Sequence, residues 1–155
     1  MAFAIAPEAH SIFRAANFLM KDEQLSDHTP RSSKKAGTFE FEFELNFYQS
    51  LYRKLPNDKR VIALLAELYT QKGSYDAGLE LDKKLVAMEP EDPVAHYNLA
   101  CSLALKLELT ESLERLKESI RLGFKELTWI LEDPDLANLR ETKAFLAYKH
   151  ELGIL

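Results

Sequence analysis

The chain has 155 residues, of which 46% are hydrophobic and 29% charged, a balance typical of a globular domain. A single cysteine excludes an intrachain disulfide, and the apolar runs are far shorter than the roughly 20 residues of a membrane-spanning helix. The net charge of −5 lies in the body of the chain, because residues 1–38 carry +1 and residues 39–155 carry −6. Nucleic acid is therefore not expected as a partner, since phosphates require clustered Lys and Arg.

The N-terminal region divides into a predicted helix and a predicted linker. Residues 7–20 place Ile12, Ala15, Ala16 and Leu19 at helical spacing, and Pro7 suits the first turn of a helix. We therefore assign residues 1–21 to an N-terminal amphipathic helical segment. Residues 22–38 are rich in Ser, Lys and other polar residues, which predicts a flexible linker. No basic leader precedes the helix, so we expect a cytoplasmic protein.

The stretch FEFEFE at residues 39–44 alternates aromatic and acidic residues. A period of two is typical of a β-strand with one buried face. The residues that follow have helical spacing, and nothing nearby offers a second strand to pair with. The stretch is therefore either an edge strand or the start of a helix that would otherwise resume near residue 42.

Two segments of the chain, one starting at Lys59 and the other at Pro93, correspond to each other. The number of residues from Lys59 to Pro93 is the repeat offset, which separates any residue of the first segment from its counterpart in the second. At this offset Leu65 aligns with Leu99, Ala66 with Ala100, and Leu79 with Leu113; Tyr69 with Leu103 and Val86 with Ile120 complete the set. Each segment predicts two amphipathic helices joined by a short turn. Gly73 suits a left-handed helix cap in the first turn, whereas the second turn, KLELT, has no glycine.

This unit of roughly 34 residues resembles the tetratricopeptide repeat family. The residues of the first unit that match the family pattern are Leu65, Ala66, Tyr69, Gly73, Tyr75, Leu79 and Pro90. Ile62, Gly78 and Asp82 depart from that pattern. The second unit keeps Leu99, Ala100 and Ser112 but has Phe124 in place of the closing proline. The resemblance implies an all-α fold, an α-solenoid of about two repeats (59–92 and 93–126) within residues 39–155.

The last segment, residues 127–155, is predicted to cap the repeats. Asp133 and Pro134 indicate an N-cap residue followed by a proline at the first helical position. Further apolar residues follow at spacings that would cover the last repeat: Leu136, Leu139, Phe145, Leu146 and Tyr148. A stack of repeats needs such a cap because each unit buries its apolar side only against its neighbours.

The resemblance also implies a concave binding groove lined by the first helix of each unit. The residues expected to line it are Arg60, Leu64, Glu67, Val94, Tyr97, Asn98, Cys101 and Leu105, with Ala63 and Thr70 beside them. Asn98 would hydrogen-bond an extended peptide and Tyr97 would supply contact area. The alternative is that these side chains contact the next helix or the N-terminal segment. A carboxylate-gripping co-chaperone is not expected, because Ala63 and Glu67 stand where Lys and Asn would be needed.

Catalysis, cofactors and metals are not expected. The four histidines lack metal-ligand spacing, and His96 falls at a position predicted to be in the core. Cys101 has neither a base nor an oxyanion site indicated near it and is interpreted as a buried small hydrophobe. Phosphate-binding glycine loops are missing from a chain with only five glycines.

The leading functional hypothesis is a noncatalytic scaffold that binds a peptide or partner protein in the groove. The alternatives are a homodimer formed through the N-terminal helix, and a small tetratricopeptide chaperone for a secreted protein.

Repeat register decides the interpretation of the Phe–Glu stretch. Phe41 lies one repeat offset before Tyr75, and Pro56 lies one before Pro90, so this region is interpreted as the second helix of an incomplete leading repeat. Phe39, Phe43 and Phe47 then lie on a side that lacks a repeat partner. We predict that the N-terminal helix covers them; if they are exposed, they become a docking surface for a partner.

Overall fold

A computed structural model describes residues 37–153. Within that range the chain forms eight α-helices and one 3₁₀ helix, and no β-strand. The elements are α1 (Gly37–Lys54), α2 (Lys59–Gln71), α3 (Tyr75–Met88), α4 (Pro93–Leu105), α5 (Leu109–Arg121), α6 (Leu127–Glu132), the 3₁₀ helix (Pro134–Leu136), α7 (Ala137–Arg140) and α8 (Lys143–Glu151). The all-α class predicted from the sequence is confirmed. The predicted helix at residues 7–20 and most of the predicted linker lie outside the described residues.

Helix α1 includes the alternating Phe–Glu stretch, which is therefore helical rather than extended. It begins at Gly37, earlier than the start near residue 42 that the sequence indicated. Its inner face packs against α2 through Leu45, with Phe41, Tyr48 and Tyr52 partly buried beside it. Helical spacing predicts that these four residues, together with the half-buried Leu51, lie on the side of α1 that faces the next unit. The helix is favoured because a lone six-residue strand would leave its backbone groups without a ladder.

The helices from α1 to α5 pack in chain order, each mainly against the next. Pairs α2–α3 and α4–α5 correspond at the repeat offset, since α2 begins at Lys59 and α4 at Pro93. The caps correspond as well: Asp58 accepts hydrogen bonds from the backbone N–H of Arg60 and Val61, and Asp92 accepts one from Val94. Such side-chain caps satisfy N–H groups that a helix leaves open at its first turn.

The turn inside each pair has the same backbone conformation. Gly73 has φ of 78°, and Leu107, one repeat offset later, has φ of 62°. Their N–H groups donate to the carbonyl oxygens of Thr70 and Ala104 at 3.0 Å in both cases. The left-handed cap predicted at Gly73 is confirmed. The second turn adopts it with a leucine, a conformation that costs an L-residue about 1 kcal/mol or more.

Small residues bring the paired helices close together. A Cβ added to Gly78 of α3 would lie 2.9 Å from Thr70 Oγ1 and 3.2 Å from the carbonyl oxygen of Ala66. At the corresponding place in the second pair, Ser112 Oγ donates to the carbonyl oxygen of Ala100 at 2.7 Å. The small residues Ala66, Gly78, Ala100 and Ser112 predict such a close approach, and it is present in both pairs.

The C-terminal elements complete the core against α4 and α5. Their buried side chains are Ile130, Leu136, Leu139 and Phe145, which cluster with Leu113, Leu116 and Phe124. Tyr148 packs against this cluster, whereas the prediction that Leu146 faces it is wrong, because α8 turns that side chain toward solvent. Asp133 caps the 3₁₀ helix by accepting from the N–H of Asp135 at 2.9 Å, and Pro134 is the first residue of that helix. The N-cap and proline pattern predicted from the sequence is therefore confirmed, with a 3₁₀ turn leading into α7. Between residues 37 and 153, every helix is too short or too polar to cross a membrane.

Candidate functional site

The residues predicted to line a groove fall into two groups in the structure. Arg60 is exposed, and Leu64 and Leu105 are half-buried. The remaining five are buried: Glu67, Val94, Tyr97, Asn98 and Cys101. The first group is available to a partner from solvent, whereas the second is covered by other parts of the chain.

Tyr97 shows how α4 is covered. Its hydroxyl donates to Asp133 Oδ2 at 2.5 Å, and its ring stacks on Phe124 with centroids 4.4 Å apart. Burial, followed by the nearby Cys101 and Asp133, raises the pKa of the Tyr97 hydroxyl well above its usual range. Tyr97 is therefore a neutral hydrogen-bond donor that ties α4 to the C-terminal segment.

Cys101 lies one turn further along α4 and meets the same carboxylate. Its Sγ is 3.7 Å from Asp133 Oδ2, and the residue is fully buried. The buried, core role predicted for this cysteine is confirmed. Tyr97 and Cys101 therefore contact another element of the chain, the C-terminal segment, rather than facing an open groove.

The α2 side of the predicted groove contains a carboxylate with an amide neighbour. Gln71 Nε2 donates to Glu67 Oε1 at 3.2 Å, one helical turn away. His96, on α4, is buried with Nε2 2.9 Å from the carbonyl oxygen of Pro90, in the core position that the sequence predicted. Both contacts are local in the chain: the first lies within α2, and the second joins α4 to the connection that precedes it.

The structure contains one buried polar contact between two residues that the sequence did not place in the site. Ser102 Oγ donates to Asp82 Oδ2 at 2.5 Å, and both side chains are almost fully buried between α3 and α4. Asp82 stood out in the sequence only as a departure from the aromatic residue of the repeat pattern. The signal that could have revealed this contact is the carboxylate of Asp82 at a position predicted to be in the core. Buried carboxylates are hydrogen-bonded, so a polar partner is expected nearby.

Helix α1 presents a second candidate surface, the Phe stripe formed by Phe39, Phe43 and Phe47. The three rings are 78%, 66% and 51% exposed. They follow one another at every fourth residue and lie on the face opposite Leu45. Large apolar side chains grouped on one exposed face are typical of a surface that binds another element.

Acidic side chains flank this stripe. Glu40, Glu42 and Glu44 are exposed, and Glu42 pairs at 3.3 Å with Lys72, the residue that follows α2. Phe47 also contacts the edge of the Tyr48 ring, with centroids 5.3 Å apart. The stripe is therefore an apolar ridge bordered by negative charge.

The described part of the chain offers no arrangement of three or more His, Cys, Asp or Glu side chains able to hold a metal ion. The buried carboxylates of Asp82 and Asp133 are each engaged with a hydroxyl. Two features of the described residues are open to a binding partner: the accessible side chains of α2 and α4, and the Phe stripe.

Comparison with known proteins gives a limited similarity. No family model matches the chain, and no solved structure matches it. The chain is similar to a chloroplastic protein of Arabidopsis thaliana, with 31% identity over 80 residues. The match covers 50% of this chain and 24% of that protein, so the chain spans about a quarter of the length of its relative.

Proposed function

We propose that this chain is a noncatalytic protein-interaction scaffold of the tetratricopeptide class, located in the cytoplasm. In this proposal α2–α3 and α4–α5 are two repeats of a short α-solenoid, α1 is the second helix of an incomplete leading repeat, and the segment from α6 onward is the cap. A peptide or partner protein binds on the side formed by α2 and α4. Repeat stacks of this kind act by presenting an extended surface.

The observation that carries the proposal is the recurrence of one two-helix unit at the repeat offset. It recurs in the starting residues of the helices, in the Asp58 and Asp92 caps, and in the turn conformations of Gly73 and Leu107. Agreement at all three levels is what a repeated packing unit requires, since helix lengths, caps and turns must match for units to stack.

The contacts to the partner fall on the accessible residues of the predicted groove. Leu64 and Leu105 would contact apolar side chains of the partner, and Arg60 would pair with an acidic group. The guanidinium of Arg60 is well exposed, with Nε 3.9 Å from Asp58 Oδ1, a pairing too loose to compete strongly with a partner carboxylate. Tyr97 acts from beneath this surface by tying α4 to the C-terminal segment.

Affinity capture with matched leucine variants tests this proposal. The full chain and its Leu64→Arg variant are used as baits in extract of the source organism, and Leu146→Arg is the control. Leu146 is an exposed leucine of α8, remote in sequence from α2 and α4. We expect Leu64→Arg to lose partners that the wild type and Leu146→Arg both retain. Identical partner lists from all three baits would reject binding at α2.

The Phe stripe supports a second candidate, a homodimer. Three exposed rings on one helix face form an apolar surface that a second copy of the chain could bury. Light scattering on the full chain distinguishes the two candidates: the groove model predicts a monomer mass in the absence of a partner, and the dimer predicts twice that mass.

A further inference from the structure

The last ring of the Phe stripe and the residue one turn after it occupy positions that are covered elsewhere in the molecule. Phe47 corresponds to Leu81 of α3 at the repeat offset, yet Phe47 is 51% exposed and Leu81 only 8%. Leu51 of α1 is half-buried, whereas its counterpart Leu85 is fully buried. Leu81 and Leu85 cluster with residues of α2, the helix that precedes α3. Among the described residues, the corresponding face of α1 is open to solvent.

The chain that leads into α1 carries a segment suited to this place. Before Gly37, residues 7–20 have the spacing of an amphipathic helix. The segment is about as long as α2, which occupies the corresponding position before α3 and has 13 residues. Its predicted apolar face combines Ile12 and Leu19 with the small residues Ala15 and Ala16. Small side chains leave room for the three large rings, since packing alternates large and small residues across facing positions.

The connection permits the segment to turn back. Residues 21–36 join the segment to α1. A polar coil of 16 residues would span about 22 Å, whereas the stripe from Phe39 to Phe47 is about 12 Å long. A tethered segment is present at an effective concentration on the order of millimolar, so modest affinity is sufficient for docking.

Charge favours the same arrangement. The part of the connection nearest α1 carries Arg31, Lys34 and Lys35 and no acidic residue after Asp27. The stripe that it would cross is bordered by the exposed carboxylates of Glu40 and Glu44. Attraction between the basic residues of the connection and these carboxylates would keep the N-terminal segment close to the Phe stripe.

We propose that residues 7–20 dock as a helix on the Phe stripe of the same chain, in the position that α2 occupies beside α3. The stripe is then an intramolecular docking surface. This inference does not depend on what binds at α2 and α4.

Hydrogen–deuterium exchange on the full chain tests the docking. We expect amides within residues 7–20 to exchange more slowly than an unstructured chain. The Phe43→Ser variant should raise that exchange about tenfold, because the central ring of the surface is lost. Leu146→Ser, which removes an exposed leucine of similar accessibility (54%), should leave it unchanged. Exchange within α2–α5 serves as the internal control that the Phe43→Ser protein is folded.

Two results would overturn the proposal. The first is exchange at the rate of an unstructured chain across residues 7–20 in the wild type. The second is protection that rises with protein concentration alongside a doubled mass in light scattering, which would assign the stripe to a second copy. The groove variant Leu64→Arg should leave the protection of residues 7–20 intact, so failure of the groove proposal and failure of this one give different results.

Discussion

The pairs α2–α3 and α4–α5 share one backbone arrangement but stabilise it with different side chains. Where the first pair has Gly78 close to the hydroxyl of Thr70, the second has Ser112, and the small Ala104 stands at the position of Thr70. Where the first has Ala63, the second has Tyr97, which reaches Asp133 of the C-terminal segment. The difference teaches that the two pairs keep the same caps and turns with different side chains in contact. It also shows that the second pair holds the C-terminal segment through Tyr97.

The largest effect is expected from making the second pair resemble the first at position 97. Tyr97→Ala removes the stacked ring and the hydrogen bond to Asp133, so the free energy of unfolding should fall by about 4 kcal/mol. Chemical denaturation followed by circular dichroism measures the loss. Tyr75→Ala, which truncates an exposed tyrosine of the first pair, should cost less than about 1 kcal/mol. Equal losses for the two variants would show that Tyr97 does not anchor the C-terminal segment.

A subtler change at the same residue affects the dependence of stability on pH. Because burial raises the pKa of Tyr97 in the folded protein, the unfolded chain loses this proton above about pH 10 while the folded chain keeps it. The unfolded state then binds fewer protons, so the free energy of unfolding falls by about 1.4 kcal/mol per pH unit from this group.

The Tyr97→Phe variant isolates that contribution. Near neutral pH it should be less stable than the wild type by about 1–2 kcal/mol, since the carboxylate of Asp133 loses a donor. Above pH 10 the gap should close, because phenylalanine has no proton to lose. Urea unfolding at several pH values measures both curves, and a constant gap between them would contradict a protonated Tyr97 in the folded state.

The smallest effect is expected at the two turns. Gly73→Ala should destabilise the protein by about 1 kcal/mol, since an L-residue is strained at φ of 78° and a Cβ there meets no compensating contact. Leu107→Gly relieves the same strain but gives the unfolded chain more freedom, so its effect should lie within about 0.5 kcal/mol of zero. Thermal unfolding compares the two, and equal destabilisation would show that the turns are not equivalent.

The sequence predicted the elements that rest on local chemistry. The helical class, the left-handed cap at Gly73, the N-cap at Asp133 and the inward face of α1 around Leu45 all follow from spacing and from the intrinsic preferences of the residues. The close approach at Gly78 and Ser112 was predictable too, because it depends on side-chain size at repeated positions.

The site was less predictable, because its accessibility depends on parts of the chain far away in sequence. Tyr97 is buried by Asp133, 36 residues later, and Ser102 bonds Asp82, 20 residues earlier. A helical period gives the face on which a side chain lies, but not whether another segment covers that face. The sequence likewise left two outcomes open for Phe39, Phe43 and Phe47: rings covered by the N-terminal helix, or rings exposed to solvent.

The central claim, that the two pairs are copies of one packing unit, is tested most directly by a double-mutant cycle in the first pair. Gly78→Ser introduces the serine of the second pair, and Thr70→Ala introduces its small neighbour. Gly78→Ser alone should cost about 1–3 kcal/mol, since the new Cβ would lie 2.9 Å from Thr70 Oγ1. With Thr70→Ala present the closest of the two tight contacts is removed, and the new hydroxyl can donate to the carbonyl oxygen of Ala66 as Ser112 does to Ala100.

The account predicts that the double variant is about as stable as the wild type, with a favourable coupling of about 1–2 kcal/mol in the free energy of unfolding. Denaturant unfolding of the wild type, both single variants and the double variant gives this coupling. A coupling near zero, with Gly78→Ser equally costly in both backgrounds, would contradict the equivalence of the two pairs.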